Sequence, residues 1–217
     1  MDVIKAISER KSCRAFKADP VPRETIEELL SLATHAPSAI NLQPWEFSVV
    51  MGEERERLSR RLVKAYREKQ ISCGPGNVKP LPKTVGKRGA KTLFLMKPFF
   101  EEMGVNTDQF INEGSCNFYG APAAILICMD DSFSKGAFVD VGIVLGYLVL
   151  SAHALGLATC PIGLITAYED EVKEELNLSE NKKLVVGLSV GYPDPESPIN
   201  RFKSPRDDLE KVVRWID

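Results

Sequence analysis

The chain contains few of the residues that most often carry out catalysis without help. It has only two histidines, His35 and His153, and no CxxC pair, so we do not expect a metal site built from several such ligands. The G-x-S-x-G, Walker A and G-x-G-x-x-G patterns are all missing. No arrangement of the 30 acidic residues singles out an acid/base pair. If the chain is an enzyme, a bound cofactor is expected to carry the reaction.

A strong excess of either charge is also missing. The 28 basic and 30 acidic residues give a formal net charge of −2, so electrostatics provide no reason to expect nucleic acid or a membrane as partner. Five cysteines without paired spacing indicate a reducing compartment rather than a disulfide framework. The first residues, MDVIKAISERKS, lack the apolar core of a signal peptide. We therefore expect a cytoplasmic location.

Only one long apolar run is present, GIVLGYLVLSAHALGLAT at residues 142–159, and its length suits a membrane span. The run contains Ser151, His153 and several glycines, and it has neither a basic flank nor an aromatic belt. We therefore predict a helix that is buried all round, in a core or a subunit interface, rather than a membrane helix. His153 is then predicted to be a core histidine rather than a ligand.

Hydrophobic periodicity predicts the other elements. Helical spacing predicts helices around Val3–Ile7, Ile26–Ala33, Leu58–Tyr66 and Glu169–Leu176, and short apolar runs predict strands at Phe47–Met51, Ala123–Met129, before CPIG (160–163) and at Leu184–Val190. Strands separated by helices suggest a layered α/β domain. Residues 72–91 are rich in glycine, proline and lysine and are predicted to be an exposed loop, or alternatively a lid over a site. A single domain over residues 1–217 is expected.

Two basic clusters could bind an anion. ERKSCRAF (9–16) places cations where the first helix should end, and there they could simply complement the helix dipole. In an extended segment, however, Arg10, Ser12 and Arg14 would face one way and form a phosphate clamp. Near the other end, Arg201, Lys203 and Arg206 form either a solvated charge run or the second half of that clamp.

The connection HAPSAINLQPWEF (35–47) is longer than the roughly 4 to 6 residues that such connections need. Ser38, Asn41 and Gln43 supply neutral donors and acceptors, and the prolines at 37 and 44 restrict its freedom. It is either a capping loop or a ligand-binding loop. Trp45 is predicted to be mainly structural.

RKSCRAF, APSAINLQPWEF, CPIG and KSPRDDLEKVV occur in this order, and together they resemble the nitroreductase-like family of FMN-dependent oxidoreductases. The resemblance covers roughly residues 1–60 and 118–217, whereas residues 66–112 form a variable segment that matches nothing in the family. It implies an α+β fold with a mixed central sheet flanked by helices. It also implies a homodimer with two FMN molecules at its interface.

The resemblance also assigns the cofactor-binding residues. The matching positions are Arg10, Lys11, Ser12 and Arg14 in the first motif, Pro37, Ser38, Ala39, Asn41 and Gln43 in a loop reaching the partner subunit's flavin, Pro161, Ile162 and Gly163 beside flavin N5, and Lys203 and Arg206 at the phosphate. Arg14 would approach the pyrimidine edge and a backbone N–H of the 161–163 segment would meet N5, so that Arg14 and Gly163 would tune the flavin. Cys160 is expected to be a structural thiol rather than a nucleophile.

The implied reaction passes a hydride from NADH or NADPH through flavin N5 to an electron-poor acceptor, a nitroaromatic or quinone, by a ping-pong mechanism. No side-chain acid or base and no metal are required. Two alternatives remain open. The chain could bind FMN or another phosphate ligand without turnover, or it could use the fold for a specialised reaction such as reductive dehalogenation or flavin breakdown.

Overall fold

The computed structural model describes residues 2–74 and 79–216. Its helices are α1 (Val3–Glu9), α2 (Arg23–Ala33), α3 (Gly52–Lys69), α4 (Lys83–Met103), α5 (Thr107–Cys116), α6 (Ala137–Ala154) and α7 (Glu169–Leu176). Its strands are β1 (Glu46–Met51), β2 (Ala123–Asp130), β3 (Ala158–Ile162) and β4 (Lys182–Gly191). Short turns of 3-10 type occupy Ala39–Asn41, Phe118–Gly120, Leu164–Tyr168, Pro198–Arg201 and Leu209–Lys211.

The four strands form one sheet in the order β1-β2-β4-β3, and all three neighbouring pairs are antiparallel. The α+β prediction is therefore confirmed, and the layered α/β arrangement suggested by alternating elements alone is wrong. The parallel contribution to this sheet is an isolated bridge between Ser12 and Thr159, which attaches the segment after α1 to the outer edge of β3.

The sheet is covered on both faces. Ile125 and Leu188 point towards α2 and α6 and pack with Trp45, which is buried as predicted. Leu126 and Leu58 belong to the opposite core, which α3 and α7 cover. Because β2 is buried on both sides, its sequence reads as a continuous apolar run. Full burial of a single leucine or isoleucine side chain stabilises the fold by about 1.5–3 kcal/mol.

Helix α6 differs in two ways from the predicted all-round buried helix. It runs from Ala137 to Ala154, earlier than the apolar run suggested, and only one of its faces, including Val144 and Leu148, packs on the sheet. The other face is open, with Val139 66% exposed and Tyr147 40% exposed. By length and composition α6 could cross a membrane, a test that core helices of soluble proteins also pass.

The loop predicted over residues 72–91 is wrong from Lys83 onwards, where α4 begins. Residues 75–78 of this segment lie outside the described residues. Pro82 occupies the N-cap position of α4. In the second half of the helix, Met96 and Phe100 are buried against the turn at Pro198–Arg201. Tertiary packing therefore overrides the two glycines of the first half, which lower helix propensity by about 1 kcal/mol each.

Candidate active site

The first basic motif lies against the end of β3. Helix α1 ends at Glu9, and Arg10 turns the chain into an extended conformation with ψ 137°. The backbone N–H of Cys13 donates to Thr159 O at 2.9 Å, next to the parallel bridge between Ser12 and Thr159. This register places Arg14 alongside Pro161, with exposed Gly163 just beyond the strand. Two of the four predicted segments are thus neighbours.

Alternate side chains of this extended segment face opposite ways. Ser12 and Arg14 approach the Cys160 thiol, whereas Cys13 points towards Asn200. Cys160 is 2% exposed, and its burial raises the pKa of its thiol to about 11. The thiol is therefore protonated at neutral pH, which agrees with the predicted structural role and not with a nucleophile.

Asn200 fixes the segment, and the sequence analysis did not identify it. Its Oδ1 accepts from the backbone N–H of Arg14 at 3.0 Å and from the Cys13 thiol at 3.2 Å. Its Nδ2 donates to Ala15 O at 2.7 Å and to Asp194 O at 2.8 Å. The amide is 5% exposed, and all its bonds hold backbone or buried groups. The only sequence signal for Asn200 is its proximity to the basic tail, because its hydrogen-bond partners at residues 13–15 lie at the other end of the chain.

Arg14 is a partly buried cation among neutral neighbours. Burial acts to lower the pKa of its guanidinium, but the nearby Cys160 thiol and Tyr119 phenol outweigh burial and raise that pKa. Both neighbours titrate far above neutral pH, so at neutral pH neither carries a charge. Across residues 2–74 and 79–216, no carboxylate forms an ion pair with Arg14. Because an unpaired cation is costly to desolvate, the site is suited to an anionic or electron-rich group.

Further cations gather at the end of α1. The Lys203 ammonium donates to Ser8 O at 2.5 Å, beside Arg10, whose guanidinium has no hydrogen-bond or ion-pair partner in the described part of the chain. Lys11 is exposed at the same place. Arg206 does not join this group, because its guanidinium bonds to Ser204 at 2.7–3.0 Å and to the next carbonyl. The two residues predicted as the C-terminal phosphate pair therefore have different contacts, Lys203 with α1 and Arg206 with its own segment.

The loop at residues 37–43 is held rigidly and presents its polar side chains to solvent. The Ala39 N–H donates to both carboxylate oxygens of Asp140 at 3.3 Å, and the Gln43 N–H donates to the Ser38 hydroxyl at 2.9 Å. Ile40, Asn41 and Gln43 have φ of 43°, 60° and 48°. Left-handed backbone costs roughly 1–2 kcal/mol for each such residue. Within this loop, Pro37, Asn41 and Gln43 are exposed to solvent.

Within one chain, the loop and the end of α1 contact different ends of α6. The loop is anchored to Asp140 in the first turn of α6, whereas the end of α1 meets the last turn, with Glu9 3.9 Å from His153. Thirteen residues separate these two positions of α6, which corresponds to about 20 Å along the helix axis. The loop at 37–43 and the end of α1, where the first basic motif begins, therefore lie at opposite ends of α6. His153 itself is partly exposed, not the fully buried core histidine that was predicted.

The chain is similar in sequence to known nitroreductases. The family model described as "Nitroreductase family" matches residues 7–192. The chain is 34% identical over 215 residues to nitroreductase NfnB of Mycolicibacterium smegmatis, with 96% of this chain and 90% of that protein covered. It is 29% identical to the chloronitrobenzene nitroreductase of Comamonas testosteroni, over 97% of this chain and 95% of that protein.

Solved structures show the same fold. The FMN-dependent nitroreductase NfnB from Mycobacterium smegmatis, solved in complex with NADPH, superposes with a TM-score of 0.87 at 33% identity, over 99% of this chain and 97% of that one. The FMN and NADPH-dependent nitroreductase NfnB from sphigopyxis sp. strain HMH has a TM-score of 0.88 at 26% identity and full coverage of both chains. The sequence motifs, the fold and these matches establish that the chain belongs to the nitroreductase family.

Proposed function

We propose that the protein is an FMN-dependent oxidoreductase that passes a hydride from NADH or NADPH to an electron-poor small molecule, with nitroaromatics as the first class to test. The observation that carries the proposal is Arg14, a partly buried cation without a carboxylate, next to Ser12 and the end of β3. The names of the relatives support the choice, since they are FMN-dependent and nitroaromatic-reducing enzymes.

The residues present fit FMN. The cations at the end of α1, Arg10, Lys11 and Lys203, suit a phosphate, and their partnerless or exposed side chains are free to reach it. The Ser12 hydroxyl follows on the same face, where the ribityl chain would lie. Arg14 then suits the electron-rich pyrimidine edge. Arg206, which bonds to its own segment, is proposed to reach the phosphate only by changing its side-chain rotamer.

Bound FMN would supply a ring position that accepts a hydride and later passes it on. The surrounding residues would assist both steps. Arg14 provides a fixed positive charge in a partly desolvated place, which favours the electron-rich reduced form. Pro161, Ile162 and Gly163 border one side of the proposed ring position, and Gly163 has no side chain to obstruct it. No side chain among these has to donate or accept a proton.

We further propose that the active unit is a homodimer in the cytoplasm. Each chain holds the end of α1, where the first basic motif begins, near one end of α6 and the loop at 37–43 near the other. Two copies that pack α6 antiparallel about a two-fold axis would bring each loop to the partner's Arg14. The open apolar face of α6, with Val139 and Tyr147, supports this pairing.

Residues 66–112 are proposed to shape the acceptor pocket within one domain. The segment contributes α4 and the start of α5. Phe94, on α4, is 74% exposed and offers an aromatic surface without a partner in its own described chain. Variation in this segment would then select the acceptor without changing the flavin site.

The test is an acceptor panel on the purified protein with NADH and NADPH compared. The protein should purify with FMN, and NAD(P)H oxidation should require an added nitroaromatic or quinone. Flavin binding without oxidation of NAD(P)H by any acceptor would instead identify a binding module. Turnover restricted to a halogenated aromatic would identify reductive dehalogenation.

A further inference from the structure

Tyr119 occupies a strained turn just before β2. Three consecutive residues, Phe118, Tyr119 and Gly120, have φ of 50°, 53° and 71°. Two of them are bulky aromatics, for which left-handed backbone costs roughly 1–3 kcal/mol each. The turn is nonetheless fixed, because Phe118 is fully buried and its carbonyl accepts from the Ser189 hydroxyl at 2.9 Å. Such strain persists where surrounding contacts determine the conformation, and it places the Tyr119 ring towards Arg14.

Helix α5 provides a fitted place for the ring. A Cβ on Gly114 would lie 2.7 Å from Tyr119 Cε1, so the absence of a side chain at this position makes room for the phenol. The Phe110 ring, one turn earlier on the same helix, packs against the Tyr119 ring at a centroid distance of 5.7 Å. The position of the Tyr119 ring is therefore determined by its neighbours and not by free rotation.

The phenol hydroxyl has a defined direction. The Ser115 hydroxyl is 2.6 Å from Ile111 O and 3.1 Å from the Tyr119 hydroxyl. A carbonyl oxygen can only accept, so Ser115 donates to Ile111 and Tyr119 donates to Ser115. The Arg14 guanidinium contacts the ring of the same side chain. A directed chain thus runs from the Tyr119 hydroxyl through Ser115 to the Ile111 carbonyl on α5.

The same guanidinium lies over the Tyr119 ring, 5.9 Å from its centroid. A carboxylate at this place would hold Arg14 equally well, but it would cancel the positive charge. A neutral phenol orients the cation and leaves its charge available.

We propose that Tyr119 is the positioning residue that holds the Arg14 guanidinium against the electron-rich edge of the flavin, and that it thereby sets the preference of the site for reduced over oxidised FMN. The inference rests on the proposed function, because it requires flavin beside Arg14. Burial raises the pKa of the phenol to about 12, so Tyr119 remains neutral throughout the working pH range.

The test measures the affinities for oxidised and reduced FMN, and the midpoint potential of the bound flavin, in Tyr119→Leu, Tyr119→Phe and Gly114→Ala. Tyr119→Leu should lower the ratio of reduced to oxidised affinity about tenfold, the scale of a desolvated cation–π contact. That ratio corresponds to a potential about 30 mV lower for a two-electron couple. Tyr119→Phe should give a smaller fall because the ring remains, and Gly114→Ala should lower the potential by displacing the ring.

Two control variants separate this effect from general damage. Gly86→Ala adds a methyl group to a helical glycine with open space around it, and Tyr66→Phe removes a phenol hydroxyl that is not among the groups acting on Arg14, so neither should move the potential. An unchanged potential in both Tyr119→Phe and Gly114→Ala, with FMN bound, would overturn the role of Tyr119 alone even if Tyr119→Leu fails to fold. Failure of the unmodified protein to bind FMN would instead overturn the proposed function together with this inference.

Discussion

Arg10 and Arg14 are four residues apart, but their surroundings give them different tasks. Arg10 caps α1 and has no side-chain partner in the described chain, whereas Arg14 is partly buried between a phenol and a thiol. A free, accessible guanidinium can close on a phosphate as it arrives. A cation already positioned in a less polar place acts on charge that develops beside it. We therefore expect Arg10 to determine affinity and Arg14 to determine reactivity.

Arg10→Ala should weaken FMN binding by about 1.5–3 kcal/mol, because it removes charge-assisted hydrogen bonds to the phosphate. Fluorescence titration of the apo-protein with FMN measures the change. Arg23→Ala is the matched control, since that arginine is exposed on α2 and pairs with Glu27 at 2.8 Å. Unchanged affinity in Arg10→Ala would mean that Arg10 serves only the dipole of α1.

Arg14→Met retains approximately the side-chain length and removes the cation. The potential of bound FMN should fall by at least about 30 mV, more than in Tyr119→Leu, because charge and position are lost together. Reduction by NAD(P)H should slow in parallel. Arg60→Met on α3 provides a charge-matched control. If the potential stays constant, the charge near the flavin comes from elsewhere, and Lys203 is the next residue to test.

The cysteines provide a prediction with a defined pH dependence. Cys13, Cys116, Cys128 and Cys160 are each at most 3% exposed, whereas Cys73 is exposed. Burial raises the pKa of the Cys160 thiol to about 11 and that of Cys116 to about 12, so their thiolates are absent below that range. Iodoacetamide at neutral pH should therefore label one thiol per chain, and Cys73→Ser should abolish the labelling seen by mass spectrometry. Labelling of Cys160 under the same conditions would restore it as a candidate nucleophile.

For helices and strands, the local sequence pattern predicted the elements in which buried residues recur regularly along the chain. Strand β2 is buried on both faces and reads as an unbroken apolar run, so its bounds were predicted within one residue. The first half of helix α4 was missed because it carries glycine and lysine in place of a regular apolar face. What fixes α4 is the packing of Met96 and Phe100 on Ile199 and Phe202, about a hundred residues away in the chain.

The same distinction applies to the candidate site. Alternation in an extended segment was enough to place Ser12 and Arg14 on one face, and the register with Thr159 brings them to β3. Asn200 and Tyr119 were not predicted. Asn200 acts through backbone contacts between chain ends, and Tyr119 depends on positive φ at two non-glycine residues. Neither property leaves a local pattern in a sequence.

The open face of α6 leads to a prediction about assembly. Val139→Glu should convert the proposed dimer to a monomer at micromolar concentration, because a two-fold axis would bury the new charge twice in an apolar contact. Light scattering measures the mass, and FMN affinity should fall with it. Lys64→Glu changes charge more strongly on α3, which covers the opposite side of the sheet, and should leave the mass unchanged. A monomer that binds FMN fully without the substitution would contradict both the dimer and the shared site.

For the whole molecule, the distance along α6 decides how the site is completed. The loop at 37–43 contacts α6 at Asp140 and the end of α1 contacts it near His153, positions about 20 Å apart along the helix axis, so the loop and the end of α1 are well separated in one chain. Ile40, Asn41 and Gln43 of this loop have positive φ and are exposed in the single chain. In the proposed dimer, the loop of the second copy would form one wall of each site and cover part of the cofactor.

That wall, together with Pro161–Gly163 on the other side, leaves one face of the proposed cofactor site open. On this proposal, NAD(P)H and the acceptor would enter in turn, and each would leave before the other binds. Initial rates measured against NAD(P)H at several acceptor concentrations should give parallel double-reciprocal lines. Arg14→Met should slow the half-reaction with NAD(P)H. The lines should remain parallel, since the variant changes the charge and leaves the access route intact. Intersecting lines would show that both substrates bind together, which would require a second pocket; the surface of α4 around Phe94 is where the chain has unpartnered aromatic area to form one.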